Sequence, residues 1–362
     1  MLLFAIKGGK MVCLYIGSTK PYSGKSLTSL IISLKLKERK RLAYFKPVGT
    51  LPRKVKGKFI DEDALFINKY LGLKEDISLL SPVIRTRGTI LKLLKERESL
   101  VPSIKKTFNK LSSGKDIVVA SGVGSLESGA SLGISGIDVA KALKAKVLLV
   151  SLYTDELIAD GIILAKELLK DALIGVIINK VREDRIDDVK KIIIPSLSRK
   201  NIKVLGVIPE DKILEAASIE ELTEELNGKI LCGSREKGKE LVKNFSVGAM
   251  SMESALRYFR ALPDKVVITG GDRSDIQLAA LETDTKAIIL TGKLYPNSLV
   301  LSKAKEMGIP LILVSTDTLT TVEKIDELLG KMRVRSKTKI ERAEKLFAKN
   351  LNFPLLFKDL KL

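Results

Sequence analysis

The strongest constraint on the fold is a short polar segment that joins an apolar run to a helix-like run. Residues 11–16 are apolar, residues 26–40 have the spacing of an amphipathic helix, and the linking segment Thr19–Ser26 ends in Gly-Lys-Ser. This order is typical of a phosphate-binding loop, because the free N–H groups and the dipole of a helix N-terminus attract anionic oxygens. The alternative is an ordinary strand–turn–helix unit in which Gly-Lys-Ser occurs by chance.

The side chains of this loop suit a nucleoside triphosphate that carries Mg²⁺. Lys25 can reach the β- and γ-phosphates, and the Ser26 hydroxyl can bind the metal ion. We therefore predict ATP and Mg²⁺ as cofactors, with Lys25 as a catalytic candidate. The predicted cofactor-binding residues of the loop are Thr19, Lys20, Ser23, Gly24, Lys25, Ser26 and Leu27. Thr19 stands where such loops usually have their first glycine, so the start of this loop must differ from the usual pattern.

Length and composition limit the number of domains and the side chains that could take part in catalysis. A chain of 362 residues with 45% hydrophobic residues is long enough for two domains. Histidine is absent, so any catalysis must use carboxylates, lysines, hydroxyls or bound Mg²⁺. The two cysteines form no disulfide framework, and no apolar run approaches the roughly 20 residues that span a bilayer. We predict a cytoplasmic protein without a membrane partner. The sequence leaves open whether Met1 or Met11 is the true start.

The net charge of +20 is concentrated in two segments, Lys35–Lys58 and Lys331–Lys361. One interpretation is a surface for nucleic acid or an acidic partner. The other is a set of solvated lysine-rich faces that also help to hold a polyphosphate. Aromatic residues make up only 5% of the chain and tryptophan is absent, so no stacking platform for bases is evident. Nucleic acid is therefore not our predicted partner.

Apolar runs alternate with amphipathic runs along the first part of the chain. The predicted strands are 11–16, 42–45, 117–120, 147–150, 173–178 and 204–208, and the predicted helices are 26–40, 89–111, 137–143, 155–169 and 186–197. Continuous hydrophobicity in the strands indicates a parallel sheet that is covered on both faces. The pattern predicts an α/β fold with a P-loop doubly wound parallel sheet. Ligands of such sheets bind beyond the carboxyl ends of the strands, where Lys46, Ser121 and Asn179 fall.

A second alternation begins after a charged stretch, residues 215–224, which we interpret as a linker with a short helix. Its predicted strands are 266–268, 288–290 and 311–314, and its predicted helices are 275–281, 298–307 and 322–329. We predict a nucleotide-binding domain over residues 1–213, a smaller α/β domain over 214–336 and a basic helical tail over 337–362.

Several motifs carry a resemblance to known families. The first domain resembles the dethiobiotin-synthetase-like ATPase domain at the N-terminus of some phosphotransacetylases, and the second resembles the DRTGG domain that follows it there. The matching segments of the first domain are 17–26, 44–49, 63–65, 175–180 and 205–209. Those of the second are 248–250, 268–275, 290–292 and 316–318. The phosphotransacetylase catalytic domain has no counterpart in this sequence.

The resemblance implies roles for individual residues. Lys46 matches a lysine that helps to hold the acceptor and the phosphate, so it is the second catalytic candidate; its alternative is a surface lysine before a turn. Asp63 matches a carboxylate that helps to hold Mg²⁺ beside Ser26, although a helix cap is an equal alternative. Asn179 matches a position that reads the nucleotide base, and its alternative is a turn residue.

Two departures from the family pattern put catalysis in question. The enzymes have a metal-binding glutamate where this chain has Ser121, and a serine cannot supply the missing negative charge. Glu127, six residues further on, could fold back to substitute. Lys20 replaces an acid that is common in the phosphotransacetylase-type domains, and it either contacts nucleotide across a dimer or is a solvated loop tip. Both departures favour phosphate binding over strong Mg²⁺ chemistry.

A second candidate site lies in the DRTGG-like domain. Gly270, Gly271, Asp272 and Arg273 follow a strand and begin a helix, where Arg273 could clamp a phosphate or carboxylate. Thr316 and Asp317 follow a neighbouring strand and would face the same side. The alternative is that these segments only cap their helices, through Asp272 or Ser274 and through Thr318.

Three functions follow from these observations. The first is a nucleotide-binding regulatory protein that senses ATP in one domain and a small metabolite or nucleotide in the other, and signals to a phosphotransacetylase-like enzyme. The second is an ATP-dependent enzyme that phosphorylates a carboxylate or carbamate. The third is a nucleic-acid-associated ATPase. We expect the first, with weak or no ATP hydrolysis and with a homo-oligomeric state.

Overall fold

The computed structural model describes residues 11–55, 57–96, 99–331 and 337–362, and it divides the chain into two compact units. Unit 1 comprises Met1–Glu210 together with Val334–Leu362, and unit 2 comprises Asp211–Arg333. Unit 1 is therefore discontinuous in sequence. Residues 337–362, which we predict as a separate basic tail, are instead part of unit 1.

Unit 1 is built from short apolar strands and the helices that connect them. Its strands are β1 (Val12–Ser18), β2 (Leu42–Phe45), β3 (Val48–Gly49), β4 (Pro52–Val55), β5 (Lys58–Asp61), β6 (Val83–Ile84), β7 (Ile117–Ser121), β8 (Lys146–Leu152), β9 (Leu173–Val181) and β10 (Val204–Pro209). Its helices before unit 2 are α1 (Lys25–Lys37), α2 (Glu62–Tyr70), α3 (Arg87–Glu96), α4 (Val101–Ser112), α5 (Gly136–Ala142), α6 (Ile158–Leu169), α7 (Ile186–Asp188) and α8 (Ile194–Ser198). A π-helical segment, Val189–Ile193, joins α7 to α8.

Six of these strands form one parallel sheet in the order β10-β9-β8-β1-β7-β2. The sheet is buried on both faces, as the continuous apolar runs predict. One large apolar core joins α4, α5, α6 and the segment 189–197 to one face. The region predicted as a single helix over 89–111 instead contains two helices, α3 and α4. The antiparallel hairpin β4–β5 was not predicted, and it is mostly exposed and lysine-rich.

Unit 2 has its own smaller sheet and helices. Its strands are β11 (Ala217–Ser218), β12 (Lys229–Cys232), β13 (Leu241–Val242), β14 (Asn244–Val247), β15 (Lys265–Gly270), β16 (Thr285–Thr291) and β17 (Leu311–Leu313). Its helices are α9 (Lys212–Glu215), α10 (Ile219–Glu225), α11 (Arg235–Gly238), α12 (Met252–Ala261), α13 (Ser274–Leu281), α14 (Ser298–Glu306) and α15 (Thr318–Lys331). The main sheet has the order β12-β17-β16-β15-β14, and only the pairing of the edge strand β12 is antiparallel.

The chain then returns to unit 1 as helices α16 (Lys337–Asn350) and α17 (Phe353–Leu360). Ile340, Ala343 and Phe347 bury the apolar face of α16, which packs against α1 and β10. Between the two helices, Leu351 forms a bridge to Gly206, and the Asn352 N–H donates to the carbonyl of Leu205 at 2.8 Å. These contacts cover the outer edge of β10. Within the described residues, no helix has the length and apolar character needed to cross a membrane.

Candidate functional site

The loop between β1 and α1 has the backbone of a phosphate cradle. Gly24 lies in the left-handed region with φ of 91°, and a Cβ atom there would be 2.4 Å from the Asn179 amide nitrogen, so only glycine fits. Its carbonyl accepts the Thr28 N–H at 3.0 Å and begins the helical hydrogen-bond pattern of α1. Gly17 and Ser18 lie inside β1, and Thr19 is the first residue of the loop.

Hydroxyl groups fix the shape of this loop. Ser18 Oγ donates to the carbonyl of Lys20 at 2.7 Å, and Ser23 Oγ donates to the same carbonyl at 2.7 Å. Thr19 Oγ1 lies 2.8 Å from Ser151 Oγ at the end of β8. Lys20 is exposed, and its ammonium donates to Thr154 at 3.2 Å. Lys20 is thus a loop-tip residue in this chain, while the hydroxyls beneath it hold the loop.

Lys25 is buried at the base of the loop, with 8% of its surface exposed. Its ammonium donates to Ser18 Oγ at 2.8 Å and to the carbonyl of Gly124 at 2.5 Å. Burial, and then the charge of Lys46, lower the pKa of Lys25 to about 8. Both partners are neutral acceptors, so the positive charge of Lys25 is hydrogen-bonded but not balanced by an anion there. A buried cation of this kind favours an anionic ligand.

Beside α1, Lys46 connects two carboxylates to the metal-ligand candidate Ser26. Its ammonium lies 2.8 Å from Asp61 and 3.1 Å from Asp63, and the Ser26 hydroxyl donates to Asp63 at 3.2 Å. Burial alone would lower the pKa of Lys46, but Asp63 and Asp61 outweigh it and hold this pKa above its usual value. Lys46 is therefore a permanent cation of the site. The structure brings Lys46, Asp63 and Ser26 together as predicted.

Asp61 is a site residue that the sequence analysis missed. It is fully buried, and besides Lys46 it accepts the N–H groups of Thr50, Leu51 and Ala64, the last as the N-cap of α2. The signal was present in the sequence, because Asp61 ends an apolar-containing strand and precedes a helix. The predicted cap role of Asp63 thus belongs to Asp61, which leaves the Asp63 carboxylate directed towards Ser26 and Lys46.

A divalent ion at this site would have few protein ligands. Within the described ranges, no group of three or more His, Cys, Asp or Glu side chains could hold a metal ion. Ser26 and Asp63 supply one hydroxyl and one carboxylate, and Mg²⁺ typically completes such a set with water and substrate phosphates. Ser121 is buried at the end of β7, and Glu127 accepts a hydrogen bond from Ser125 at 2.5 Å. The donor set therefore suits Mg²⁺ that arrives with a triphosphate.

Asn179 supports the loop from below. It is 5% exposed, and its amide nitrogen donates to the carbonyl of Ser23 at 2.8 Å. This contact couples the end of β9 to the glycine turn at Gly24. In this conformation, the predicted base-reading amide is engaged by the loop backbone.

The predicted site of unit 2 has a different character. Gly271 is needed because a Cβ atom there would lie 1.7 Å from the carbonyl oxygen of Leu294. Arg273 is bound to Asp275 at 3.0 Å and to the carbonyl of Met250 at 2.9 Å, so its guanidinium already has partners. No side chain caps α13, and neither Asp272 nor Ser274 has the predicted cap role.

The neighbouring segment of unit 2, residues 316–318, also lies at the start of a helix. Asp317, rather than the predicted Thr318, accepts the Thr320 N–H at 2.9 Å at the start of α15. Thr316 pairs with Thr321 at 2.7 Å, and Thr318 pairs with Thr291 at 2.9 Å. Both segments follow carboxyl ends of parallel strands, but their polar groups bond mainly to one another.

The two basic segments also meet on unit 1. A groove is lined by residues from the end of α1 and from α17, namely Lys35, Leu36, Glu38, Arg39, Lys40, Phe353, Pro354, Phe357, Lys358 and Leu362. The rings of Phe353 and Phe357 are 5.9 Å apart and tilted against each other rather than presented flat. Lys35, Arg39 and Lys40 of the first basic segment therefore lie at the same groove as Lys358 of the second.

Comparisons with family models divide the chain at nearly the same place as the boundary between units 1 and 2. Residues 13–218 match the AAA domain family, and residues 221–328 match the DRTGG domain family. The phosphate acetyltransferase of Synechocystis sp. is 26% identical over 377 residues, an alignment that covers 96% of this chain and 52% of that protein. The phosphate acetyltransferase of Nitratidesulfovibrio vulgaris is 26% identical and is covered to 50%, with 94% of this chain aligned. The chain spans about half the length of these curated relatives.

Solved structures align with part of this chain, with low TM-scores. The CBS and DRTGG domains of the regulatory region of Clostridium perfringens pyrophosphatase, complexed with diadenosine tetraphosphate, align with a TM-score of 0.29 at 20% identity, over 36% of this chain and 66% of that one. The septum site-determining protein MinD of Pyrococcus horikoshii, complexed with Mg-ADP, aligns with a TM-score of 0.36 at 16% identity, over 57% of this chain and 84% of that one. By its match over 13–218, the chain belongs to the AAA domain family of dethiobiotin-synthetase-like P-loop proteins, and it carries a DRTGG domain after it.

Proposed function

We propose that the chain is an ATP-binding regulatory protein with weak or no ATP hydrolysis. Unit 1 would bind ATP with Mg²⁺, and unit 2 would bind a small metabolite or nucleotide. The observation that carries the proposal is the buried ammonium of Lys25 at the base of a helix-opening loop, hydrogen-bonded only to neutral oxygens of Ser18 and Gly124 among the described residues. A terminal phosphate would give this charge its counter-ion.

The remaining residues of the site have matching roles in binding. The N–H groups that open α1 would surround the β-phosphate, and Asn179 keeps the loop in the required shape. Ser26 and Asp63 would hold Mg²⁺, which when bound bridges and neutralises phosphate oxygens. Lys46 stays charged between Asp61 and Asp63, and its ammonium would offset part of their negative charge next to the γ-phosphate.

Weak hydrolysis is proposed because the site has positive charge for binding but little that would activate a water or a metal. Ser121 replaces a carboxylate, and Glu127 is hydrogen-bonded by Ser125. Asp61 is occupied by Lys46 and by three backbone N–H groups, which leaves Asp63 as the carboxylate for the metal, so the metal would be held mainly by the nucleotide. Tight binding and slow turnover are what a sensor requires.

The partner that we propose is a phosphotransacetylase-like enzyme. The curated relatives are phosphate acetyltransferases, and the chain matches about half of their length. A chain of this kind would report nucleotide occupancy to a catalytic partner, either another chain or a further domain. Copurification with a phosphotransacetylase, and a change in the KM of that enzyme when this chain and ATP are added, would support the assignment.

One observation favours a second candidate, an ATP-dependent enzyme that phosphorylates a carboxylate or carbamate. Lys46 is buried, permanently charged and adjacent to the metal-ligand pair Ser26 and Asp63, as a group that stabilises a transferring phosphoryl would be. Nucleic-acid-dependent activity is the third candidate, and it is supported only by the basic groove on unit 1.

Calorimetric titration with ATP, with and without Mg²⁺, separates these functions when it is combined with a turnover assay. The sensor predicts clear ATP binding and negligible phosphate release, with or without added carboxylates and diamines. Substrate-dependent turnover would establish the enzyme instead. Binding to DNA or RNA that weakens steeply as salt is raised would support the third candidate. No ATP binding by the wild-type chain would overturn the proposal.

A substitution at position 121 also distinguishes the sensor from the enzyme. Ser121→Glu restores the carboxylate of the enzyme pattern, and we expect it to increase Mg²⁺-dependent turnover if position 121 faces the metal. Ser121→Gln is the matched control, because it has the same size and no charge. Equal turnover in both variants would show that residue 121 does not face the metal.

A further inference from the structure

The basic groove on unit 1 has an apolar floor. The groove has a volume of about 730 Å³ and lies between the end of α1 and helix α17. Its floor is formed by Leu36, which is buried, and by Phe353, Phe357 and Leu362, which are half-buried. The two phenylalanines are one helical turn apart on α17. A concave apolar surface of this size is typical of a place where further apolar side chains pack.

The rim of the groove is formed by Arg39, Lys40 and Lys358. Arg39 and Lys358 are exposed, and neither side chain has an ion pair or a hydrogen bond among the residues that the structure describes. The acidic side chain of the lining, Glu38, already pairs with Lys35 at 2.9 Å. The rim therefore keeps positive charge that the chain itself does not neutralise.

Both walls of the groove are fixed by contacts within unit 1. Helix α17 is capped by Asn352, which accepts the Leu355 N–H at 2.9 Å, and it is tied to the sheet by the ion pair of Asp359 with Lys203 at 3.0 Å. Helix α1 is mostly buried along its length. A binding surface that is already ordered loses little conformational entropy when a partner binds.

We propose that this groove binds an acidic amphipathic helix of a partner protein. The lining residues belong to α1, to the turn after it and to the segment 353–362, so the groove presents the sides of helices and not the edge of a strand. Apolar side chains at positions i, i+4 and i+7 of a helix would enter the floor. Asp or Glu on the flanks of that helix would meet the rim, and this charge complementarity would select the partner.

A lipid surface and a nucleic acid match the groove less well than a protein helix. Lipid is contacted by apolar side chains that protrude, whereas the two phenylalanine rings are recessed between exposed cations. Nucleic acid uses rings that are presented flat for stacking, whereas the ring planes of Phe353 and Phe357 are inclined by 49° to each other. An amphipathic helix uses both the apolar floor and the charged rim.

The groove is remote from the phosphate loop. Lys25 is in the first turn of α1 and Leu36 is in the last, which places them roughly 16 Å apart along the helix axis. The proposal therefore goes beyond nucleotide binding and does not depend on it. A partner in the groove would contact the far end of the helix that opens the nucleotide site.

Selection from a displayed peptide library tests the proposal with the full chain and without nucleotide. The peptides have about 16 residues, enough for roughly four helical turns, with leucine at i, i+4 and i+7 and random residues elsewhere. Wild-type protein should enrich Asp and Glu on the flanks of the leucine face. The double variant Arg39→Glu/Lys358→Glu should enrich Lys and Arg there instead. No enrichment by the wild type, or the same acidic peptides selected by the double variant, would overturn the proposal.

Arg199→Glu is the matched control for the selection. Arg199 is an exposed arginine that follows the C-terminal end of α8, as Arg39 follows that of α1, and it lies outside the groove lining. This variant should select the same acidic peptides as the wild type. Thermal melting checks that all three proteins are folded. Loss of the acidic preference in Arg199→Glu as well would assign the effect to net charge and would contradict a local site.

Fluorescence anisotropy with one selected peptide separates the contributions of floor and rim. The double variant should weaken binding by at least about 30-fold, and Arg199→Glu should change it by less than about twofold. Leucine-to-alanine changes in the peptide should also abolish most of the binding, and binding that survives them would show that the floor is not used. Tighter binding of phosphatidylglycerol vesicles or of single-stranded DNA, lost in the double variant, would assign the groove to lipid or nucleic acid and overturn the proposal.

Discussion

Units 1 and 2 contain the same local arrangement, a glycine-bearing loop that leaves the carboxyl end of a parallel strand and opens a helix. In unit 1 the loop encloses Lys25, which is buried and bonded to neutral oxygens. In unit 2 the corresponding cation, Arg273, is 39% exposed and is already paired with Asp275. The glycines alone therefore do not distinguish a phosphate site from a helix start. The distinction lies in whether a buried charge lacks its counter-ion.

The contrast is reversed for two further buried lysines, so a buried cation without a counter-ion indicates a phosphate site only where it also lies at the carboxyl ends of the strands. Lys46 of unit 1 is held by two carboxylates, whereas Lys265 of unit 2 is fully buried and donates to Thr283 Oγ1 and to the carbonyl of Asp284. Burial lowers the pKa of Lys265, while its neighbouring carboxylates raise that of Lys46. Unit 1 thus retains buried charge at its carboxyl edge, and the buried lysine of unit 2 lies at the opposite end of its sheet.

The largest expected effect comes from Lys46→Met. The substitution leaves Asp61 buried without its cation, so we expect the free energy of unfolding of unit 1 to fall by about 3–5 kcal/mol. Lys265→Met is the comparison in unit 2, where hydrogen bonds to two neutral acceptors are lost and no carboxylate is left unpaired, and there we expect a change within about 1 kcal/mol. Urea unfolding followed by circular dichroism measures both. Equal losses in the two variants would show that the charge cluster of unit 1 has no special energetic role.

Lys25→Ala should weaken ATP binding by at least about 100-fold, or ~2.7 kcal/mol, because two charge-assisted contacts to phosphate are lost. Arg273→Ala, the matched change in unit 2, should leave the ATP affinity unchanged. Isothermal titration calorimetry measures both, and thermal melting checks that each variant is folded. If Arg273→Ala were the more damaging change, the nucleotide would bind in unit 2.

The pH dependence of ATP binding should show the titration of Lys25. Its pKa in the free protein is about 8, and a bound phosphate favours the charged form, so binding above pH 8 must take up a proton. Affinity should be constant well below pH 8 and about tenfold weaker at pH 9. Calorimetry in buffers of different ionisation enthalpy measures the proton uptake directly. Lys20→Met, which removes an exposed loop lysine, should keep this profile.

Helix caps away from both sites should respond equally in the two units. Ser135 in unit 1 and Ser218 in unit 2 each form a reciprocal capping box, with Asp138 and Glu221 respectively. Replacing either serine by alanine should cost about 1 kcal/mol of unfolding free energy in its own unit. A large difference between the two would mean that the units differ in general rigidity and not only in buried charge.

Sequence patterns predicted the parallel strands and the phosphate loop because both are local signals. Strand β1, Gly24 and Lys25 are adjacent in sequence, and their periodicity and spacing are enough to identify them. The edge strands β12 and β14 were missed, since strands with exposed residues lack a continuous apolar run. The return of α16 to unit 1 was missed for a different reason: its apolar face indicates a buried helix but does not indicate which sheet will bury it.

Site residues could be predicted where they belong to a family motif. They could not be predicted where their role depends on contacts in the folded structure. Lys46 and Asp63 come from a motif, and the structure places them together. Asp61 was missed because the sequence shows that it ends a strand before a helix but does not show its contact with Lys46. Asp317 took the cap role expected for Thr318, a shift of one residue that only the backbone geometry decides.

Because unit 1 is completed by α16 and α17, residues 211–333 form one long loop of unit 1 that is closed at both ends. When unit 2 unfolds, that loop becomes a flexible chain, and closing it costs conformational entropy on the order of a few kcal/mol. A folded unit 2 lowers this cost by holding Asp211 and Lys331, the described ends of its segment, at a fixed separation. Any molecule that stabilises unit 2 would thereby also stabilise the nucleotide-binding unit through chain connectivity alone.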